Sequence, residues 1–174
     1  MCGIVGYIGK KRVDKILLDG LKKLEYRGYD SAGMAIADKN KIVCLKEVGK
    51  VSELEKKITQ NKTMGEVGIA HTRWATHGKP TEKNAHPHSD CSGDIFVVHN
   101  GIIENYQELK EWLKKRKHKF KSETDTEIIA HLIEDFSRKN NFKEAFIKSL
   151  KKLKGTYGLA VISQKNPGKI LIAK

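Results

Sequence analysis

The sequence predicts an α+β fold in which antiparallel sheets are covered by helices, and three observations carry that expectation. Strand-like and helix-like segments follow one another without the regular βαβ alternation that a parallel doubly wound sheet requires. Two strand-like runs, GMAIAD and KIVCLKE, flank a short polar DKNK segment and so read as an antiparallel hairpin. At 174 residues with 39% apolar content, the chain is long enough to bury one real core, and a single domain is the expectation.

Each element follows from its local pattern. Residues 2–9 form a glycine-punctuated strand. In KKRVDKILLDGLKKLEY, Val13, Ile16, Leu17, Leu21 and Leu24 recur at helical spacing. After the hairpin comes a helix over 52–60, with Ser52 as its cap and Leu54 and Ile58 turned inward. VGIAHTR is a strand, and DIFVVHN is another that stops at Asn100-Gly101. Between them WATHGKPTEKNAHPHSDCSG reads as one long polar loop, of a length that is uncommon unless functional or disordered. Helices are expected over 105–117, 124–139 and 142–153, the second opened by the cap-like SETDTE. Strand TYGLAVIS, turn QKNPG and strand KILIAK end the sequence. Because residue 174 follows directly on an apolar strand, a sheet cut at that point and a longer parent protein are expected.

Composition removes several function classes. No basic leader with an apolar run and no stretch of 18 apolar residues is present, so neither secretion nor a membrane partner is expected. Cys2, Cys44 and Cys91 form an odd set without CxxC spacing, which fits reduced cytoplasmic thiols better than a disulfide framework or closed zinc site. The net charge of +13 raises the question of a polyanion. Its excess is almost all lysine, with arginine only at positions 12, 27, 73, 116 and 138. Lysines spread over LKKLE, LEKKI and SLKKLK are solvated helix faces, so no nucleic-acid partner is expected.

The polar-rich segments that carry chemistry stand at strand ends. Cys2 becomes the first residue once Met1 is removed, and it then offers a thiol of pKa about 8.5 beside an α-amine of about 7.7 to 8.0. Nucleophile and base share one residue, although the segment alone reads as readily as a small buried hydrophobe. In VVHNG, the Asn100 amide and the Gly101 backbone N–H form a candidate oxyanion hole, and an ordinary Asn-Gly turn is compatible with it. Arg73 ends HTRWATHG with a fork suited to a carboxylate, Thr76 and His77 as further donors and Trp74 as an apolar wall. Asp125 is either a helix cap or the partner of an ammonium; with Arg73 it would hold an α-amino acid. HPHSDC superficially suggests ligation by His86, His88, Asp90 and Cys91, but two histidines flanking a proline fit no recognised zinc spacing, so no metal and no cofactor are expected.

Together, CGIVG, LEYRGYDSAG, GIAHTRWATHG with its following NAHPH, VVHNGIIEN and SETDTE make the chain resemble the class II glutamine amidotransferases of the N-terminal-nucleophile type. Within them it resembles the amino-terminal glutaminase domains of the isomerising glutamine:fructose-6-phosphate aminotransferases. The resemblance covers residue 2 to the end and implies a four-layer αββα sandwich, truncated at its C-terminus and lacking the sugar-phosphate isomerase domains. It implies Cys2 as nucleophile on L-glutamine, Asn100 and Gly101 as oxyanion hole, and Arg73 as carboxylate clamp beside Thr76 and His77. Asp125 would take the ammonium, Trp74 would gate an ammonia channel, His86 would border the pocket, and Arg27 and Gly28 would organise the amino terminus. The implied partners are L-glutamine and, through the missing part alone, fructose 6-phosphate, with homo-oligomerisation in a full-length form. Two alternatives remain at this point: the glutaminase domain of another class II amidotransferase, and an inactive polyanion-binding module on the same fold.

Overall fold

The computed structural model describes residues 2–39, 41–61, 63, 65–74 and 78–174. Strands β1 (Gly3–Ile8), β2 (Ser31–Asp38), β3 (Lys41–Val48) and β4 (Val67–Arg73) form one antiparallel sheet in the order β1-β4-β2-β3. Strands β5 (His88–Ser89), β6 (Ile95–Ile103), β7 (Gly155–Ser163) and β8 (Leu171–Ala173) form the other, in sequence order. Helices α1 (Val13–Leu24) and α2 (Val51–Gln60) cover the first sheet, while α3 (Tyr106–Lys115), α4 (Glu127–Ser137) and α5 (Phe142–Leu150) cover the second.

Strand periodicity sorts the side chains into three apolar layers. On β6, Ile95 and Val97 face the helices, whereas Phe96 and Val98 face the opposite sheet. On β4, Val67 and Ile69 point between the sheets and Ala70 points toward α1 and α2. The same alternation carries His71 and Arg73 on from Ile69, Asn100 on from Val98, and Cys2 back from Ile4, toward the gap between the sheets. A site forms at the end of the sandwich where this apolar layer stops.

Several elements differ from the sequence reading. In α1 the buried stripe is Val13, Leu17, Leu18 and Leu21; Leu18 replaces the expected Ile16, because it flanks Leu17 and Leu21 on the sheet side. Ser52 does not cap α2: the helix begins at Val51, whose N–H donates to Glu25 Oε1 at 2.6 Å. Strand β6 does not stop at Asn100-Gly101 but continues to Ile103. Gly101 permits this with φ +131°, where an added Cβ would lie 2.0 Å from Thr156 O. Helix α4 starts at Glu127 and not at 124, because the Glu127 carboxylate accepts the N–H groups of Lys121 and Ser122, both at 2.7 Å, and holds those residues in a loop. Asp125 is therefore no cap; its Oδ2 accepts Ile103 N–H at 2.8 Å.

The long polar loop is built into the structure over its described part. It carries a 3₁₀ turn at Glu82–Asn84 and strand β5, and it buries Asn84, His86, His88 and Asp90. Lys46 Nζ donates to Ala85 O at 2.7 Å, tying the loop to β3. Among the described residues no helix is long and apolar enough to cross a membrane.

The inter-sheet layer gives a direct test. Replacing the fully buried Ile69 by Ala should cost about 2–5 kcal/mol in urea unfolding, as other buried Ile-to-Ala changes do. A loss well below that range would mean that the two sheets do not pack there.

Candidate active site

A cavity of about 620 Å³ opens where the two sheets part. Cys2, Arg27, Arg73, Trp74, His86, Asn100, Gly101 and Asp125 all line it, so it collects most of the residues singled out from the sequence. Thr76 and His77 lie outside the described residues. Gly28 does not line the cavity but packs against the Arg73–Trp74 peptide beside it. Its backbone is extended, and an added Cβ would lie 2.8 Å from Arg73 C and 2.9 Å from Trp74 N. Arg27 is half-buried, with its Nε donating to the Tyr26 hydroxyl at 3.1 Å.

Cys2 lies one residue beyond the Gly3–Thr72 pair of β1 and β4, which brings it beside the end of β4. Its sulfur accepts the Trp74 N–H at 3.2 Å and lies 3.6 Å from Trp74 O. Its carbonyl accepts a hydrogen bond from Asn100 Nδ2 at 3.0 Å. Arg73 is buried and donates to Gly78 O at 3.2 Å. Burial lowers its pKa, opposed by the nearby Cys2, Asp30 and Asp125, but a guanidinium starts so far above neutrality that it stays cationic.

Beneath the cavity lies a set of histidines that the sequence reading did not assemble. His71 Nε2 contacts only acceptors, Asn100 Oδ1 at 2.9 Å and His99 O at 3.1 Å, so that nitrogen carries the proton. His86 stacks on His71 with centroids 4.1 Å apart, and its Nδ1 accepts the His99 N–H at 3.3 Å. Its Nε2 therefore carries the proton and faces Thr126 Oγ1 at 3.5 Å, whose hydroxyl in turn meets His99 Nδ1 at 2.9 Å. Burial pushes His71 down to about 3 and also lowers His86, His88 and His99. The imidazoles are thus neutral at physiological pH and act as fixed hydrogen-bond groups. His71 sets the orientation of the Asn100 amide, and the sequence signal was the two-residue step on β4 that puts His71 on the face of Arg73.

Over residues 71–174 the chain matches the family described as a glutamine amidotransferase domain. The chain belongs to that family. It is 55% identical over 175 residues to the glutamine–fructose-6-phosphate aminotransferase (isomerizing) of Pyrococcus horikoshii, across 100% of this chain and 29% of the relative. The identically named protein of Clostridium acetobutylicum is 52% identical over 174 residues, covering 100% of this chain and 28% of its own length. The chain thus spans under a third of these relatives. Among solved structures, the glutamine phosphoribosylpyrophosphate amidotransferase from B. subtilis, complexed with ADP and GMP, superposes with a TM-score of 0.81 at 29% identity, over 94% of this chain and 35% of that one. A glutamine aminotransferase class-II domain protein from silicibacter pomeroyi, at 12% identity and a TM-score of 0.61 over 94% of this chain and 73% of that one, shares the fold. The two antiparallel sheets between helical layers are the sandwich expected for an N-terminal-nucleophile amidotransferase domain.

The buried histidines set an acid limit. A histidine whose folded pKa is depressed binds its proton in the unfolded state first, so its stabilisation is complete above about pH 6.5 and is lost as the pH falls toward about 3 for His71. The unfolding free energy from urea titrations should therefore fall as the pH is lowered from about 6.5 to 5, with His71 contributing on the order of 1 kcal/mol per pH unit. His71→Gln should flatten the slope; an unchanged slope would mean that His71 is not a buried neutral group.

Proposed function

We propose that this domain removes the side-chain amide of L-glutamine, with Cys2 as nucleophile once Met1 has been cleaved. The observation that carries the reading is the convergence of the Cys2 sulfur, the Asn100 amide, the Arg73 guanidinium and the Asp125 carboxylate on one cavity. Arg73 takes the α-carboxylate and Asp125, already held through Oδ2 by Ile103 N–H, takes the α-ammonium. These two charges fix the amino-acid end, and the side-chain amide reaches the sulfur. Trp74 walls the path by which ammonia leaves, and His86 fixes the floor of the pocket.

The Cys2 α-amine accepts the thiol proton, and the thiolate attacks the amide carbon. The developing oxyanion takes the second hydrogen of the Asn100 amide, the first being engaged by Cys2 O, together with the Gly101 N–H. The C–N bond breaks, the proton on the α-amine goes to the leaving nitrogen as ammonia, and a γ-glutamyl thioester remains. Water then releases glutamate and restores the thiol. Gly28 keeps the amino terminus in place through the Arg73–Trp74 peptide, and Arg27 does so from the cavity wall. In the longer protein, we assign fructose 6-phosphate as the acceptor of the ammonia, giving glucosamine 6-phosphate; the setting is the cytoplasm, where thiols stay reduced.

A γ-electrophilic glutamine analogue should label one thiol, Cys2, and the Cys2→Ala protein should take up none. Burial pushes the Cys44 thiol up to about 11, which keeps it unreactive. Labelling at Cys44 or Cys91 in place of Cys2 would remove the mechanism. Arg73→Ala should raise KM for glutamine tenfold or more, from the roughly 1.5–3 kcal/mol of a hydrogen bond to a charged group. Reaction of Cys2 with a small uncharged alkylator should hardly change; an equal effect on both would make Arg73 a structural residue only.

A further inference from the structure

Away from the cavity, the turn after β5 meets α4 in a second constellation. Cys91 stands in that turn, His118 follows α3, and His131 and Glu134 share one face of α4 at an i, i+3 spacing. One potential ligand atom from each lies within 4.8 Å of all the others. Cys91 Sγ is 3.7 Å from His118 Nδ1 and 3.5 Å from His131 Nδ1, and the two ring nitrogens are 3.2 Å apart. Glu134 Oε2 is 3.0 Å from His118 Nδ1 and 3.4 Å from His131 Nδ1. A tetrahedron with metal–nitrogen and metal–oxygen bonds of about 2.05 Å and a metal–sulfur bond of about 2.3 Å has edges of about 3.3 Å and, to sulfur, about 3.6 Å. Each of these five separations lies within about 0.4 Å of its ideal edge.

The outer nitrogens point the same way. His118 Nε2 faces Asp135 Oδ1 at 3.4 Å. His131 Nε2, which makes no full hydrogen bond, has Glu127 Oε1 at 3.5 Å. Carboxylates behind both rings favour the proton on Nε2, leaving two Nδ1 lone pairs aimed at the same point as a sulfur and a carboxylate oxygen. Backbone N–H groups approach the remaining ligands, Lys119 N to Cys91 Sγ at 3.4 Å and Cys91 N to Glu134 Oε2 at 3.2 Å. With the thiol proton of Cys91 released, two imidazole nitrogens, a thiolate and a carboxylate oxygen face one another as a donor set that a cation would fill. Both histidine side chains are 1% exposed, while Cys91 and Glu134 reach the surface and give an ion its way in.

We propose that Cys91, His118, His131 and Glu134 hold one structural zinc ion. Thiolate and imidazole suit zinc, whereas calcium and magnesium want six or more oxygens. With all four positions filled by protein, the ion has no open site for chemistry. Cys91 loses its thiol proton on binding. Glu127 links the ion to the active site, because the carboxylate behind His131 is the one that accepts Lys121 and Ser122 N–H and shapes the segment bearing Asp125. The inference stands independently of the glutaminase chemistry.

Metal analysis of the protein, expressed with added zinc and passed through gel filtration, should find about one zinc per chain, and almost none in Cys91→Ser. Cobalt in place of zinc should give the intense d–d bands of a tetrahedral site and a thiolate-to-cobalt charge-transfer band, kept in Cys2→Ala and lost in Cys91→Ser. Stripping the metal with a chelator should lower Tm by about 5 °C or more. If Cys91→Ser does not fold, the cobalt spectrum of the natural and Cys2→Ala proteins decides. Folded natural protein that retains no zinc and gives no charge-transfer band would overturn the proposal, as would Cys91→Ser that binds zinc equally well.

Discussion

The amide of Asn100 is the tie on which the active-site end of this molecule depends. Asn100 belongs to the second sheet, yet its Nδ2 donates to Cys2 O and its Oδ1 accepts from His71 Nε2, both on or beside strands of the first sheet. Those two bonds cross the gap where the apolar inter-sheet layer has ended. Turning the amide over would set donor against donor at His71 and acceptor against acceptor at Cys2, so its orientation is fixed from both sides. The protonation state of His71 is fixed in turn by burial. The Nε2–H of His71, held also by His99 O at 3.1 Å, thus determines which atom of Asn100 faces the nucleophile's own residue.

The fold was legible where local pattern and tertiary need agree. The β2–β3 hairpin, the amphipathic α1 and the strand bearing VGIAHTR follow from periods of 2 and 3.6 residues. The differences have physical causes at long range. Glu25 caps α2 from 26 residues away, so Ser52 was a plausible local answer to a need already met. Glu127 gathers the N–H groups of Lys121 and Ser122 and delays α4, which frees Asp125 from the capping role that its sequence context suggested. Continuation of β6 past Asn100-Gly101 depends on the close approach of Thr156 O, which no local pattern announces.

The candidate site was legible as a set of residue types at strand ends, since sulfur, fork, amide and carboxylate are few, and the fold brings them to one cavity. What holds them was not. His71 and His99 read as ordinary strand residues until the two sheets bring them under the cavity, and Thr126 matters only because it stands between two imidazoles. The HPHSDC segment drew notice for its concentration of ligand types, but the fold disperses them. His86 stacks on His71 with His88 edge-on to it, Asp90 holds its own turn through Ile95 N–H, and Cys91 alone of them meets His118, His131 and Glu134. Ligand spacing along the chain is a poor guide when the ligands come from three separate elements.

In the proposed reaction the sulfur and α-amine of one residue act together at a processed amino terminus, and a mass measurement can catch both features at once. Intact-mass analysis of the protein, acid-quenched while it turns over excess glutamine, should show Met1 absent from every active molecule and a fraction carrying one glutamyl group, mapped by peptide digestion to Cys2. Full glutamine hydrolysis by protein that quantitatively retains Met1, or a glutamyl adduct on any other residue, would contradict the account.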